Sequence, residues 1–226
     1  MPETQSLLGA LQYADSFFPS GSIAFSWGLE TLRADSEIGS TDQVAQFLEG
    51  QLVHRWASFD APVLAAAVRA EGKCDRLANL DDLVEAMTLA TELREGSRRA
   101  GASVLKVHVG LGTPGAAEYR QRIAERNARG HLPVVQGMLW SATGLSEDAC
   151  RAVSAHTLCT GIVGAALRMG MIGHLDAQKI LLRVRPILVE LLRLPVSHAE
   201  ELYAYAPHAE IAAMRHEVQD ARLFAN

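Results

Sequence analysis

The stretch Ser146–Gly170, SEDACRAVSAHTLCTGIVGAALRMG, decides the fold. It opens with a serine and two acidic residues, which commonly begin an α-helix, and its apolar residues continue the helical pattern to about its last glycine. Its longest uncharged part, Val153–Leu167, is too short to span a bilayer. Glycines recur at 161, 164, 170 and 173, and small residues at this spacing let helices approach closely. The sequence therefore predicts a buried helix at the centre of the fold.

The rest of the chain has the same helical character. Apolar residues recur at helical spacing in most other segments, and no segment alternates in the manner of a strand. Aromatic residues make up only 6% of the chain, which also argues against a sheet. The fold class is therefore all-α, a single-domain bundle of roughly ten helices over residues 1–226, with a C-terminal tail from about residue 207.

Breaker and capping residues predict where some helices begin and end. A helix is expected to start at Asp60-Ala-Pro62, and helical spacing seen from Asp81 continues to about Val109. Pro186 lies within an apolar helix, so we expect a kink or a break there. Ser197 and Glu200 match a capping box for a short helix, and the last helix is expected over 207–223.

Composition excludes several classes of protein. Hydrophobic residues make up 49% of the 226 residues and charged residues 21%, as in globular proteins. The net charge of −5 argues against a nucleic-acid binder. Three cysteines without a CxxC pair, Cys74, Cys150 and Cys159, indicate neither a disulfide framework nor a zinc site. The N-terminal segment lacks the features of a secretory signal, so we expect a cytoplasmic protein that does not enter a membrane.

A search for catalytic motifs yields none. The chain has no P-loop, HExxH, Glu-x-x-His or GxSxG pattern. Its eight histidines are scattered, so neither a metal site nor a cofactor site is predicted. Two alternatives to a protein-binding role stay open. One is a helical metal-dependent hydrolase whose distant His and Glu residues converge, and the other is a purely structural dimerisation module.

The first feature that suggests protein binding is FFPSGSIAFSWGLE, residues 17–30. Proline and two glycines favour tight backbone turns, and four aromatic residues surround them. A helix-to-helix turn with buried aromatic residues explains most of this pattern. A loop shaped in advance for a partner also explains why so many apolar side chains surround the glycines.

The second feature is TELREGSRRAG, residues 91–101, in which Arg94 and Arg98 are candidate partner contacts. The commoner meaning of such a run is a solvated charged helix face with i,i+4 pairs. Gly96 and Gly101, however, each weaken a helix by about 1 kcal/mol relative to alanine. Their presence is easier to understand if another backbone packs closely against this helix.

The third feature is the tail IAAMRHEVQDARLF, residues 211–224. Ile211, Met214 and Val218 share one helical stripe. The simpler interpretation is an amphipathic terminal helix that packs on its own core. The alternative is a terminal segment that a partner orders, because chain ends are often free unless they are tied down.

Taken together, these segments resemble the family of urease accessory protein UreF. The resemblance rests on Pro19-Ser-Gly21, Ser26-Trp-Gly-Leu-Glu30, the Glu-Leu-Arg-Glu stretch ending at Gly101, Gly130-His-Leu-Pro133, the residues Arg168, Gly173, His174 and Gln178, and Arg215-His-Glu-x-Gln219-x-x-Arg222-Leu-Phe224. It covers essentially the whole chain. Ile23 and Ala24 depart from the family pattern, which commonly has an aromatic and a small polar residue there. Gly96 departs from it as well, because a good helix former is usual at that position.

The resemblance implies an all-helical cytoplasmic homodimer without enzymatic activity or cofactor. Such proteins bind a D-type accessory protein, called H in some organisms, and a G-type GTPase, and the assembly loads nickel into apo-urease. The tail from Arg215 to Phe224 would bind the D-type partner, and the Pro19–Glu30 region would lie near the GTPase-facing or dimer surface. The candidate partner-binding residues are Pro19, Gly21, Ser26, Gly28, Glu30, Arg94, Arg98, Arg215, His216, Glu217, Arg222, Leu223 and Phe224.

Overall fold

The computed structural model describes residues 3–20, 25–197, 201–219 and 222–224, and in these residues the chain forms helices and no β-strand. The elements in chain order are α1 (Glu3–Ala14), α2 (Leu29–Ala34), α3 (Thr41–Gln51), the π-helical segment π1 (Leu52–Asp60), α4 (Ala61–Arg69), α5 (Cys74–Met87), α6 (Thr91–Gly110), α7 (Ala116–Ala124), α8 (Leu132–Ala142), α9 (Glu147–Arg168), α10 (His174–Arg193) and α11 (Pro207–His216). Because α3, π1 and α4 follow one another without a break, they form one continuous helical rod, and the described residues contain ten separate helices when this rod is counted as one. The predicted all-α, single-domain bundle of roughly ten helices is confirmed.

Helix α9 is the central helix that the sequence predicts. The Ser146 hydroxyl caps it by accepting a hydrogen bond from the Ala149 N–H at 3.2 Å. Its N-terminal part belongs to one apolar core, and residues 155–166 contribute to a second. By length and composition α9 could cross a membrane, but 61% of its apolar stretch is buried in the fold. A mostly buried helix of this kind is typical of the core of a compact protein.

The predicted close approach of another helix to Gly161 and Gly164 is wrong. Among the described residues, no atom apart from the neighbouring residues and backbone of α9 itself lies within 4 Å of the position that a Cβ would take at either glycine. Gly161 instead lines a cavity between α6 and α9, where Trp27 and Gly96 also lie. The two glycines therefore face open space.

The two apolar cores share α9 and the rod that α3, π1 and α4 form. The first core lies mainly among α1 and α4–α8, and the second mainly among α2, α3, α9 and α10. Helices α4 and α8 approach most closely at Gly137. A Cβ at this position would lie 2.4 Å from the Leu64 carbonyl oxygen and 2.8 Å from the Ala67 Cβ. Only glycine allows so close an approach of two helices.

Helix α4 begins at Ala61 with Pro62 in its first turn, as the sequence predicts, but it continues the rod of α3 and π1 without a break. The backbone stays in the right-handed helical region across both junctions. Pro62 has no N–H to donate to the Ser58 carbonyl, and the wide π turn alters the pairing of the preceding carbonyls. The Tyr203 N–H donates to the Ser58 carbonyl at 3.3 Å, and the Tyr205 N–H donates to the His54 carbonyl at 2.9 Å. Two carbonyl groups of π1 thus accept hydrogen bonds from the backbone of the segment that precedes α11, which lies outside the rod.

Other predicted boundaries also differ from the structure. The helix expected to continue to Val109 is divided into α5 and α6, because the backbone is extended at Thr88 and Ala90. Helix α10 is not broken at Pro186, which lies on its exposed side where water can reach the freed carbonyl. The short helix predicted to reach Tyr205 is not formed at residues 202–206, and Glu200 lies outside the described residues. Helix α11 ends at His216 rather than near residue 223.

Substitution of Gly137 by alanine tests the close contact between α4 and α8. We expect Gly137→Ala to lower the free energy of unfolding by about 1–3 kcal/mol, because the new methyl group overlaps the Leu64 carbonyl. Gly161→Ala is the matched control. It also lies inside a helix but faces open space, so it should stabilise the protein by about 0.5–1 kcal/mol. Urea denaturation measures both values, and a Gly137→Ala variant as stable as the wild type would contradict this description of the core.

Candidate functional site

The turn that precedes α2 brings the N-terminal signature against the last helix. Trp27 and Gly28 both have positive φ angles, 58° and 83°. A Cβ at Gly28 would lie 2.6 Å from the Ala209 carbonyl oxygen and 3.1 Å from the Ala212 Cβ. Both the left-handed backbone and the contact with α11 therefore require glycine at position 28. The Ser26 hydroxyl accepts a hydrogen bond from the Glu30 N–H at 3.4 Å, which helps to start α2.

At the centre of the site, His216 lies between two carboxylates. Its Nδ1 lies 2.7 Å from a carboxylate oxygen of Glu92 on α6, and its Nε2 lies 3.0 Å from one of Glu30 on α2. His216 is fully buried. Three helices that are remote in the sequence are thus joined through one imidazole ring.

The residues after α11 continue this network. The Glu30 carboxylate accepts hydrogen bonds from the Leu223 N–H at 2.7 Å and from the Phe224 N–H at 3.1 Å. The Arg222 guanidinium lies 3.2 Å from Glu92. The Phe224 ring is buried, and the guanidinium carbon of Arg168 lies 4.4 Å from its centre. The tail is therefore held on its own fold by charged and aromatic contacts.

Surface ion pairs add a weaker attachment. Arg215 makes two contacts with the Asp35 carboxylate, at 2.7 and 3.1 Å. His208 lies 2.5 Å from Glu37. Both pairs join α11 to the end of α2 and the turn that follows it. Since they are partly exposed to solvent, each contributes at most about 1 kcal/mol.

The two contacts of His216 call for a hydrogen-bond donor at each of its ring nitrogens. An ionised carboxylate only accepts hydrogen bonds, whereas a ring nitrogen donates only when it carries a hydrogen. The contacts with Glu30 and Glu92 are therefore both satisfied when both nitrogens of His216 are protonated. The removal of one partner from a buried ionic group typically costs about 3–5 kcal/mol, because the other charge is left without compensation. His216 is thus the residue on which attachment of the tail depends most.

Helix α11 turns its larger apolar residues outwards. Ile211, Met214 and Val218 are between 41% and 83% exposed, whereas the small residues Ala212 and Ala213 are buried. The helix packs on its own core, as the simpler interpretation of the tail expected, but through its alanine face. We call Ile211 and Met214 of α11, together with Val218 in the turn that follows it, the α11 stripe.

Arg94 and Arg98 belong to a different cluster, centred on Glu85 of α5. Both guanidinium groups lie 3.3 Å from one Glu85 oxygen, and the Nε2 of His131 lies 2.9 Å from the other. Burial lowers the pKa of His131, although Asp81 and Glu85 oppose this effect. These two arginines therefore fix α6 to α5, and the hydrogen bonds and ion pairs that they make with other described residues do not involve the tail.

Asp81 holds the loop before α8 and is fully buried. Its carboxylate accepts hydrogen bonds from the backbone N–H groups of Arg129, Gly130 and His131 at 2.6–2.9 Å, and from the Tyr119 hydroxyl at 2.5 Å. This loop packs on α6, where a Cβ at Gly101 would lie only 2.0 Å from the Gly130 carbonyl oxygen. The Gly130-His-Leu-Pro133 motif is thus explained by structural contacts.

None of the remaining predicted partner-binding residues is among the described residues that hydrogen-bond the His216 side chain. Pro19 is exposed, and Gly21 lies outside the described residues. Glu217 is exposed directly after α11.

Glu92 is a site residue that the motifs did not predict, although the sequence contains one indication that it is buried. Glu92, Gly96 and Ala100 follow one another at intervals of four residues, and all three are buried. An acid on a buried stripe of small residues requires a cation from elsewhere in the fold.

The described residues offer little for catalysis. They include no group of three or more His, Cys, Asp or Glu side chains that could hold a metal ion. Burial raises the pKa of Cys150 and of Cys159 to about 12, so neither thiol is ionised at neutral pH. The site around His216 is a structural junction beside an exposed apolar surface.

Substitution of His216 tests the attachment of the tail. We expect His216→Ala to leave Glu30 and Glu92 without the hydrogen-bonding group that they share and to destabilise the docked tail by about 3 kcal/mol. Amide hydrogen exchange at Leu223 and Phe224 should then become at least about 100-fold faster, while exchange in α9 changes little. His208→Ala is the matched control on the same helix, because it removes only an exposed pair. Equal exchange in the two variants would show that His216 does not hold the tail.

Comparison with known proteins shows the family of this chain. The UreF family model matches residues 38–185. Urease accessory protein UreF from Trichodesmium erythraeum is 31% identical, and the alignment covers 97% of this chain and 96% of the relative. The proteins of the same name from Haemophilus influenzae strain Rd and Bacillus sp. strain TB-90 are each 32% identical over 96% of this chain, and 94% and 98% of their own lengths are covered. The chain therefore belongs to the UreF family of urease accessory proteins.

Proposed function

We propose that this chain is a non-enzymatic scaffold that acts with a D/H-type urease accessory protein and a G-type GTPase to promote nickel insertion into apo-urease. Its membership in the UreF family supports the proposal, because the relatives named above are urease accessory proteins. In this role the protein is cytoplasmic and homodimeric, holds no cofactor and binds neither nucleic acid nor membrane. Nickel is the cargo of the assembly.

The observation that carries the proposal is the outward direction of the α11 stripe. A folded protein gains stability when it buries large apolar side chains, and each such side chain contributes about 1.5–3 kcal/mol when fully buried. Helix α11 nevertheless buries alanines and leaves Ile211 and Met214 in solvent, and Val218 in the turn after it is exposed as well. Aligned exposed apolar residues of this kind are typical of a helix that docks into a groove of another protein.

We assign the tail to the D/H-type partner. The α11 stripe supplies apolar contacts, and its neighbours Arg215, Glu217 and Arg222 supply charges at the rim. Leu223 is also exposed beside Phe224, whose ring is buried. This mixture of an apolar centre and a polar rim resembles the composition of protein interfaces.

We assign the Pro19–Glu30 region to the GTPase-facing side. Glu30 binds His216 and the backbone of the tail, so a partner that moves the tail also acts on this region. The scaffold can favour one nucleotide state of the GTPase only if it binds the two states with different affinities. Arg94 and Arg98, which are partly exposed beside Glu85, are assigned to the same side.

Substitution in the α11 stripe tests the proposal. We expect Val218→Asp to weaken the complex with the D/H-type protein at least about 10-fold, because a charge would enter an apolar contact. The isolated variant should unfold within about 2 °C of the wild type, since Val218 is exposed. Isothermal titration with the purified partner measures the affinity.

Leu111→Asp is the matched control, because Leu111 is also an exposed apolar residue but lies just after α6. It should bind the partner like the wild type. A Val218→Asp variant that binds the D/H-type protein with wild-type affinity would contradict the assignment of the α11 stripe.

A further inference from the structure

Helix α10 has a second apolar side that its own fold does not cover. Ala177, Ile180 and Val184 are buried against the second core. On the opposite side, Leu175, Leu182 and Val189 are between 42% and 68% exposed. Pro186 is exposed on the same side. We call Leu175, Leu182, Pro186 and Val189 the outer face of α10.

The spacing of the outer face is that of a helix that packs lengthwise against another helix. Leu175, Leu182 and Val189 are separated by seven residues, which is two helical turns. They therefore form one line along most of α10, which spans His174–Arg193. A single partner helix can contact all three side chains at once.

Pro186 leaves a backbone carbonyl without its usual helical partner near the middle of this line. Proline has no N–H, so the carbonyl of Leu182, four residues earlier, has no intrahelical donor. Because Leu182 and Pro186 are both exposed residues, water can approach this oxygen from the outer face. A side-chain donor of a bound helix can replace that water, which gives the apolar line a point of polar recognition.

The charges beside the outer face are mainly basic. Arg183 points away from it, towards Asp42 and Glu49 of α3. Lys179 and Arg193 lie beside it and make local pairs on α10. Arg185 is exposed beside it and has no acidic partner among the described residues. An approaching surface therefore meets an apolar line with an unmatched positive charge.

A second copy of this chain does not match the outer face. In an antiparallel two-fold pair, the side that carries Arg185 meets the same side of the other copy. In a parallel pair, Arg185 meets the side that carries Lys179 and Glu190, and Glu190 is already paired with Arg193 of its own helix. The antiparallel arrangement therefore brings like charges together, and the parallel one offers Arg185 no free acid. Four side chains on one helix also cover far less than the roughly 800 Å² per partner of a standard interface.

We infer that the outer face of α10 binds an acidic amphipathic helix of a partner protein, with apolar residues at heptad spacing and Glu or Asp beside them. The apolar line supplies contact area, and Arg185 selects the acidic sequence. This surface lies on a different helix from the α11 stripe. A scaffold with both surfaces can hold two partners at the same time.

A synthetic peptide tests this inference. The probe has three heptads with Leu at positions a and d and Glu at positions e and g, and the control peptide has Lys in place of Glu. We expect fluorescence anisotropy to show that the full-length protein binds the Glu peptide at least 10-fold more tightly than the Lys peptide. The preference should shrink as salt is raised, because exposed charges are then screened.

Variants of the protein locate the binding. Leu182→Asp should reduce binding of the Glu peptide at least 10-fold, and Arg185→Glu should remove the preference for it, while Leu111→Asp should change neither. Circular dichroism checks that each variant keeps its helical content. Equal binding of both peptides, binding unaffected by Leu182→Asp, or no binding of the Glu peptide would overturn the inference. So would a dimer in sedimentation velocity that Leu182→Asp dissociates, because the occupant would then be a second copy.

Discussion

The structure depends on two largely buried carboxylates, Glu30 and Glu92, beside one imidazole. Water reaches these acids only in part, so His216 and the backbone N–H groups after α11 supply hydrogen bonds in its place. Glu30 and the residues that it binds are separated by about 190 positions in the chain. The need to compensate buried charge therefore brings the N-terminal signature and the C-terminal tail into one site. Neither segment could keep its position if the other were displaced.

The same constraint explains which side of α11 faces the core. Helix α11 must approach the backbone at Gly28 closely for His216 to reach Glu30, and only alanines fit at that distance. The larger residues of the α11 stripe are consequently directed into solvent. An arrangement that the buried ionic contacts require thus produces an apolar surface for a partner, which is the connection between the fold of this UreF family member and its proposed role as a scaffold.

The sequence predicted the fold class and the central helix correctly, since helical spacing and the Ser146 cap are local properties. It could not predict the continuous rod through Pro62, because the freed Ser58 carbonyl is bonded by Tyr203, which is remote in the chain. The division between α5 and α6 has no glycine or proline to mark it. In the site, the motifs identified Glu30 and His216, but their contact with Glu92 depends on tertiary structure. Hydrophobicity alone also suggested the wrong buried face for α11, because close packing there requires small residues.

A double-mutant cycle on partner binding tests the central claim most directly. The affinity for the D/H-type accessory protein would be measured by isothermal titration for the wild type, Glu30→Gln, His216→Gln and the variant with both changes. If one buried contact positions the tail for its partner, the two substitutions should be strongly non-additive, with a coupling of about 1–3 kcal/mol. Additive effects, or full affinity in the doubly substituted protein, would contradict the account.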